Sequence, residues 1–326
     1  MMTTYNANTV ISAAFNGFLL SHVLLALHQA GMLQNLITPP GLSPPSDQRG
    51  DVFEAAMTLL GDAQLVNYSA GRYKLTELGI EVVAQHGFFV WAIGGYSDFF
   101  TRLGSMLSGD LPALQRNEAL VARGSGLIDR ALLRDQVAQY ILGLGIGYIA
   151  DLGCGDATRL CDLAMRDGQL KGVGVELSPA AVVLAREQIA QNGLTNRLSV
   201  VQGDCLDMIQ HPLSQHIDCV LSFFLLHDLL FAKGGRFSLI EDILLTNFPN
   251  ADIFIFADTA RVNEFQSDTY PPPVFIRGFE LVHAMMGIPT RTLHQYKEAL
   301  RSERLKLVEV VDLAVPSSYL FVLRRH

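Results

Sequence analysis

The residues best suited to chemistry are an adjacent pair, His227-Asp228, and a later histidine, His283. An imidazole changes charge near neutral pH and serves as a base or a metal ligand, and a carboxylate beside it can orient it or ligate in turn. Plainer roles compete: a His-Asp pair can also cap the helix that follows it, and a lone histidine on an apolar face is usually a satisfied core residue. Further upstream, Asp151-Leu152-Gly153-Cys154-Gly155-Asp156 places two glycines where an apolar run gives way to a helical pattern. Glycines at such a turn let a backbone approach a ligand closely. The run is not a dinucleotide fingerprint, because Thr158 stands where the third glycine is needed. Glu176 ends the next apolar run, Gly172-Val173-Gly174-Val175, where a carboxylate can accept both hydroxyls of a ribose. Asp204, in Gly203-Asp204-Cys205, closes a third run and is either a ligand-facing carboxylate or a turn aspartate.

These residues need a scaffold, and from Gly147 onward the chain supplies one. Short apolar runs alternate with helical stretches, the pattern of a parallel α/β sheet. Strands are expected near 147–152, 172–176, 198–202, 217–223 and 251–257. Two late runs, 305–313 and 319–324, are joined by so short a link that they must form a hairpin with an antiparallel last strand. In such a sheet ligands lie beyond the carboxyl ends of the strands, where the fourth strand delivers His227 and Asp228. Residues 275–286 read as a helix with Phe279, His283 and Met286 on one face. His294 opens another helix and is expected to face solvent.

Residues 1–115 read as helices with one small hairpin at 65–75, a winged-helix-like domain, and residues 116–326 as the catalytic domain. A nucleic-acid reader carries a basic stripe, whereas residues 1–115 hold four basic side chains against eight acidic ones. With a net charge of −8 for the whole chain, nucleic acid and anionic membrane are not expected partners. The apolar stretch at 10–33 carries Asn16, Ser21, His22, His28 and Gln29, which favours an interface helix over a membrane span. No basic, cleavable leader is seen, and the four cysteines form no CxxC pair, so a cytoplasmic protein with thiols in its core is expected.

The order acidic–apolar–Gly–x–Gly at 151–155, with Glu176 and Asp204 following, resembles class I S-adenosyl-L-methionine (SAM) methyltransferases, although Ala157 replaces their usual third glycine. The resemblance covers residues 145–325 and, with the N-terminal domain, nearly the whole chain. It implies a Rossmann-like seven-stranded sheet, SAM contacts from Asp151, Gly153, Gly155 and Glu176, adenine recognition by Asp204 and the Cys205 backbone, and a homodimer paired through the N-terminal domain. Two subfamilies then compete. Small-molecule O-methyltransferases with such a domain use the histidine of the His-Asp pair as base, but a tryptophan usually follows that pair; here Leu229 does, and the one tryptophan is Trp91. The segments 94–97 and 273–283 look more like 2-oxo acid C-methyltransferases, particularly those acting on 2-ketoarginine. That resemblance implies a metal site of His227, Asp228 and His283, holding iron, zinc or nickel, and methylation of carbon 3 of the acid. The chemistry agrees, since a C–H beside a ketone is too weak an acid for a bare histidine, and a chelated cation stabilises the enolate. Arg277 is a candidate partner for the substrate carboxylate and Tyr96 a candidate reaching in from the N-terminal domain. Asp98 or Asp110 are candidate partners for a guanidinium. A SAM-binding regulator that reads DNA through its winged helix is the third alternative, and the acidic N-terminal region counts against it.

Overall fold

The computed structural model describes residues 6–44, 50–262 and 275–326. Five apolar runs form parallel strands: β3 (Tyr148–Leu152), β4 (Lys171–Glu176), β5 (Leu198–Gln202), β6 (Cys219–Phe223) and β7 (Ile253–Thr259). Two more, β8 (Leu305–Asp312) and β9 (Ser318–Arg325), form the expected hairpin, with β9 antiparallel to β7. An earlier hairpin, β1 (Val66–Ser69) with β2 (Arg72–Leu75), stands apart. The large sheet has the order β5-β4-β3-β6-β7-β9-β8.

Burial explains why these runs are strands. Every residue of β6 and β7 is buried, as expected where helices cover both faces of a sheet. Alternate residues feed two cores: Ile149, Leu221 and Ile255 pack under the helices Arg134–Gly143, Thr158–Arg166 and Pro179–Gln191. Ala150, Val220 and Phe254 pack under Leu226–Ala232, Phe237–Asn247 and Leu293–Ala299. The edge strand β8 is mostly exposed and breaks register between Leu307 and Glu309, a way of blunting an unpaired edge. The chain builds β3, β4 and β5 in one direction, then crosses back to lay β6 beside β3. That reversal leaves a crevice beyond the carboxyl ends of β3 and β6, where a ligand fits.

The N-terminal region has its own core of Leu24, Met57, Leu60, Val66 and Val83. The helix expected over 11–36 is broken: Ala7–Gln29 is followed by Gly31, which takes φ +68°, and by a short helix Leu33–Ile37. The first helix is exposed from Ala7 to Phe18 and, among the described residues, is the one unbent helix long and apolar enough to cross a membrane. A helical run from Gly87 to Leu107 then leads over the crevice, widening into a π-turn at Val90–Gly94. The helix Glu118–Ile128 packs against that turn closely: a Cβ added at Gly124 would lie 2.4 Å from the Trp91 backbone nitrogen.

Candidate functional site

A cavity of about 510 Å³ occupies the crevice. On one side lies the turn after β3. Gly153 and Gly155 take φ of +68° and +57°, and a Cβ on Gly153 would meet Leu225 at 2.7 Å. Ala157 takes φ +59°, so this chain holds a left-handed conformation without the glycine that makes it easy. Glu176, at the end of β4, lines the cavity with its carboxylate fixed by the N–H groups of Gly155 and Ser178, each at 2.9 Å. Asp204 lines it too, accepting the Leu206 N–H at 2.8 Å, and Cys205 is buried beside it.

Asp151 is fully buried at the end of β3, and neither carboxylate oxygen has a hydrogen-bond partner. The nearest cation is Arg159, 3.9 Å away and itself bound to Asp129 at 2.8 Å. Burial pushes the Asp151 carboxyl up to about 6 against the pull of Arg159. Asp151 does not itself line the cavity, but a buried acceptor left without a donor behind a glycine cradle suits a cationic ligand such as SAM.

The other side of the cavity holds the sequence-predicted pair, with a different partner. His227 and Asp228 are successive residues at the start of the helix Leu226–Ala232, and both line the cavity. The residue that orients His227 is Asp258, fully buried near the end of β7, which sequence reading missed. Its carboxylate accepts the His227 backbone N–H at 2.8 Å and lies 2.9 Å from Nδ1. Burial works against a charged imidazole here, but the Asp258 charge and hydrogen bond outweigh it and raise the His227 pKa above 6.5. Asp228 instead lies on the Nε2 side, its Oδ2 3.4 Å away. Burial raises the Asp228 carboxyl.

His283 stands across from His227, the two rings edge to face at 4.4 Å between centroids. Its Nδ1 is 2.7 Å from the Phe279 carbonyl, and burial together with the His227 charge holds its pKa down at about 3. Phe279, His283 and Met286 all line the cavity, as their spacing implied. Among the described residues, no three His, Cys, Asp or Glu side chains form a ready metal cage.

Two expected contributors part company. Tyr96 is buried and lines the cavity. Arg277 does not line it: its side chain is 44% exposed and paired with Glu280 at 2.8 Å. A cation that does line the cavity is Arg116, from the irregular segment before the helix Glu118–Ile128. The Arg116 charge acts on the Tyr96 phenol, Asp228 and His283. Asp98 is held by Arg102 and the Gln115 N–H, and neither it nor Asp110 lines the cavity. His294 is exposed, as expected.

Residues 149–236 match the methyltransferase domain family. The protein is a SAM-dependent methyltransferase with the SAM methyltransferase fold. It is 27% identical, over 99% of its length and 97% of the relative's, to indolepyruvate C-methyltransferase of Streptomyces griseus. It is 26% identical to methyltransferase ungE' of Aspergillus campestris over 70% of each chain. Its fold matches human N-acetylserotonin methyltransferase solved in complex with SAM, with a TM-score of 0.69, 16% identity and coverage of 100% of this chain and 99% of that one. The crevice at the β3–β6 switch point lies where the glycine turn led a cofactor to be expected.

Proposed function

We propose that this methyltransferase transfers the SAM methyl group to carbon 3 of a 2-oxo acid. The observation that carries the reading is the pair of buried imidazoles, His227 and His283, set beside Asp228 and the Arg116 guanidinium on the acceptor side of the crevice. Similarity over nearly the full chain to a C-methyltransferase whose name specifies a 2-oxo acid supports it. Glu176 takes the ribose hydroxyls, Asp204 and the Cys205 backbone take the adenine, and Asp151 draws the cationic methionyl end over Gly153 and Gly155. Arg116 takes the place first considered for Arg277 and binds the substrate carboxylate, with the Tyr96 phenol beside its guanidinium. The substrate loses its C3 proton to water, the enolate carbon attacks the sulfonium methyl in line, and S-adenosylhomocysteine leaves.

The donor set also suits a metal ion. Each Nδ1 faces an acceptor, Asp258 or the Phe279 carbonyl, which leaves both Nε2 lone pairs available with Asp228 alongside. An iron, zinc or nickel ion on His227, Asp228 and His283 would acidify the C3–H by drawing electron density from the 2-oxo acid. The test is turnover of a 2-oxo acid panel with and without a chelator, with NMR to locate the new methyl group. A C3-methyl product that disappears on thorough chelation supports the reading, and methyl on oxygen overturns it.

One observation favours a second reading. Asp258 holds His227 as a buried carboxylate holds a catalytic base, so in a metal-free O-methyltransferase Nε2 would take the proton of a substrate hydroxyl. In that case His283→Ala leaves turnover nearly intact, whereas the first reading requires its loss.

The winged-helix-like region, residues 1–115, is proposed to pair two copies and to roof the crevice, with residues 116–326 as the catalytic domain. The four cysteines are free and buried, which suits a reducing cytoplasm.

A further inference from the structure

The acceptor end of the cavity is walled by aromatic rings. Phe275 sits with its ring 5.2 Å from those of both Trp91 and Phe279 and 5.5 Å from Phe88. Trp91 in turn meets Tyr96 edge to face at 5.0 Å, and Phe279 lies against His283 at 3.9 Å. Trp91, Tyr96, Phe275 and Phe279 all line the cavity and draw on two distant parts of the chain, the roof and the helix Ile276–Met285. Phe275 holds its place at φ +88°, a backbone conformation that L residues rarely adopt. Strain accepted at an aromatic side chain facing a cavity points to a use for that ring.

The charged side chains named at this end are already partnered with one another. Arg116 enters it as a cation, and Asp228 faces both His227 and Arg116. Glu118 lies at the rim, 3.9 Å from Arg116. Aromatic faces can attract a cation, but a guanidinium also brings five N–H donors that need acceptors, and it would enter beside Arg116. A planar uncharged ring asks for none of this and extends the edge-to-face contacts already present.

Resting on the 2-oxo acid reading, we propose that the substrate is an aryl 2-oxo acid, its ring received by Trp91, Phe275 and Phe279, and that these residues set the preference against cationic and aliphatic side chains. The guanidino acids considered from the sequence then fall outside the preferred class.

The experiment measures kcat/KM, by S-adenosylhomocysteine release, for phenylpyruvate, indolepyruvate, 4-methyl-2-oxopentanoate, 2-oxoglutarate and 2-oxo-5-guanidinopentanoate. An aryl acid is expected to exceed the guanidino acid by at least about 100-fold, and Trp91→Leu to cut the aryl preference over the aliphatic acid about tenfold. Trp91→Phe, which keeps a ring, is expected to retain most of that preference, so the result does not hang on one variant's folding. If the guanidino or the aliphatic acid is the better substrate of the wild-type enzyme, the aryl assignment is overturned while the 2-oxo acid reading stands. If none of the five is methylated by enzyme that binds SAM, both fall together.

Discussion

At the scale of single residues, Asp151 is where the proposed cofactor site is most directly testable. Its buried carboxyl has no donor and its pKa is raised to about 6, so ionisation at neutral pH costs about 3 kcal/mol relative to the unfolded chain. The sign follows from the raised value: its favourable contribution is complete below the unfolded pKa near 4 and is lost as pH rises through about 6. Asp151→Asn should therefore raise the melting temperature of the ligand-free protein by several degrees at pH 7.5. The same change should weaken SAM binding at least about tenfold by removing the charge that meets the cation. Wild-type SAM affinity should strengthen as pH climbs through about 6, and calorimetry should find the variant flat across that range. An unchanged Kd in the variant would remove Asp151 from the cofactor site. This residue was legible in the sequence because strand, glycines and acid follow one another locally. Asp258 was not, because it reaches His227 from the end of another strand and only the sheet brings them together. The adjacent Asp228 was legible because it is next in sequence, and it meets the other ring nitrogen of His227. Arg116 was hidden for a different reason: it lies in an irregular segment where no periodicity marks which way a side chain turns.

At the scale of elements, the α/β alternation gave away five parallel strands and the closing hairpin within a few residues, since buried strands are continuous apolar runs. The roof was harder to read. Its run from Gly87 to Leu107 is wound as a π-turn at Val90–Gly94 and kinks at Tyr96, where φ is −125° and ψ +19°. Such irregular turns leave no repeat in the sequence and often mark functional sites. They set Trp91 and Tyr96 against the acceptor end, and the close approach of helix Glu118–Ile128 depends on Gly124. Gly124→Ala should force these two elements apart, costing about 1–3 kcal/mol and moving Trp91. Because Trp91 is the chain's one tryptophan, its fluorescence reads that movement directly. A lowered melting temperature, a shifted emission maximum and a raised acceptor KM with SAM affinity retained are the expected set. A variant that keeps the wild-type emission and KM would show that the roof does not depend on this contact.

At the scale of the whole molecule, the first helix poses a problem that one chain does not solve. Val10, Ile11, Phe15 and Phe18 are each 46–65% exposed, three or four residues apart or adjacent, on a helix whose first half touches little else. Soluble monomers rarely leave such a stripe open, and burying it against a second copy removes apolar area from water on both sides at once. Asn16, exposed within this stretch, and the exposed His22 beyond it are polar positions that a protein interface accommodates more readily than lipid does. Two chains of 35.7 kDa should sediment as a species of about 71 kDa. Phe15→Asp, at a position 61% exposed and so harmless to the single-chain fold, should shift that species to the monomer. It should also lower turnover if pairing steadies the roof that carries Trp91 and Tyr96. A wild-type protein that sediments as a monomer at micromolar concentration, or a Phe15→Asp variant that dimerises as tightly as its parent, would assign the stripe to something other than self-association. Recovery of the wild type in a detergent-soluble membrane fraction would assign it to lipid.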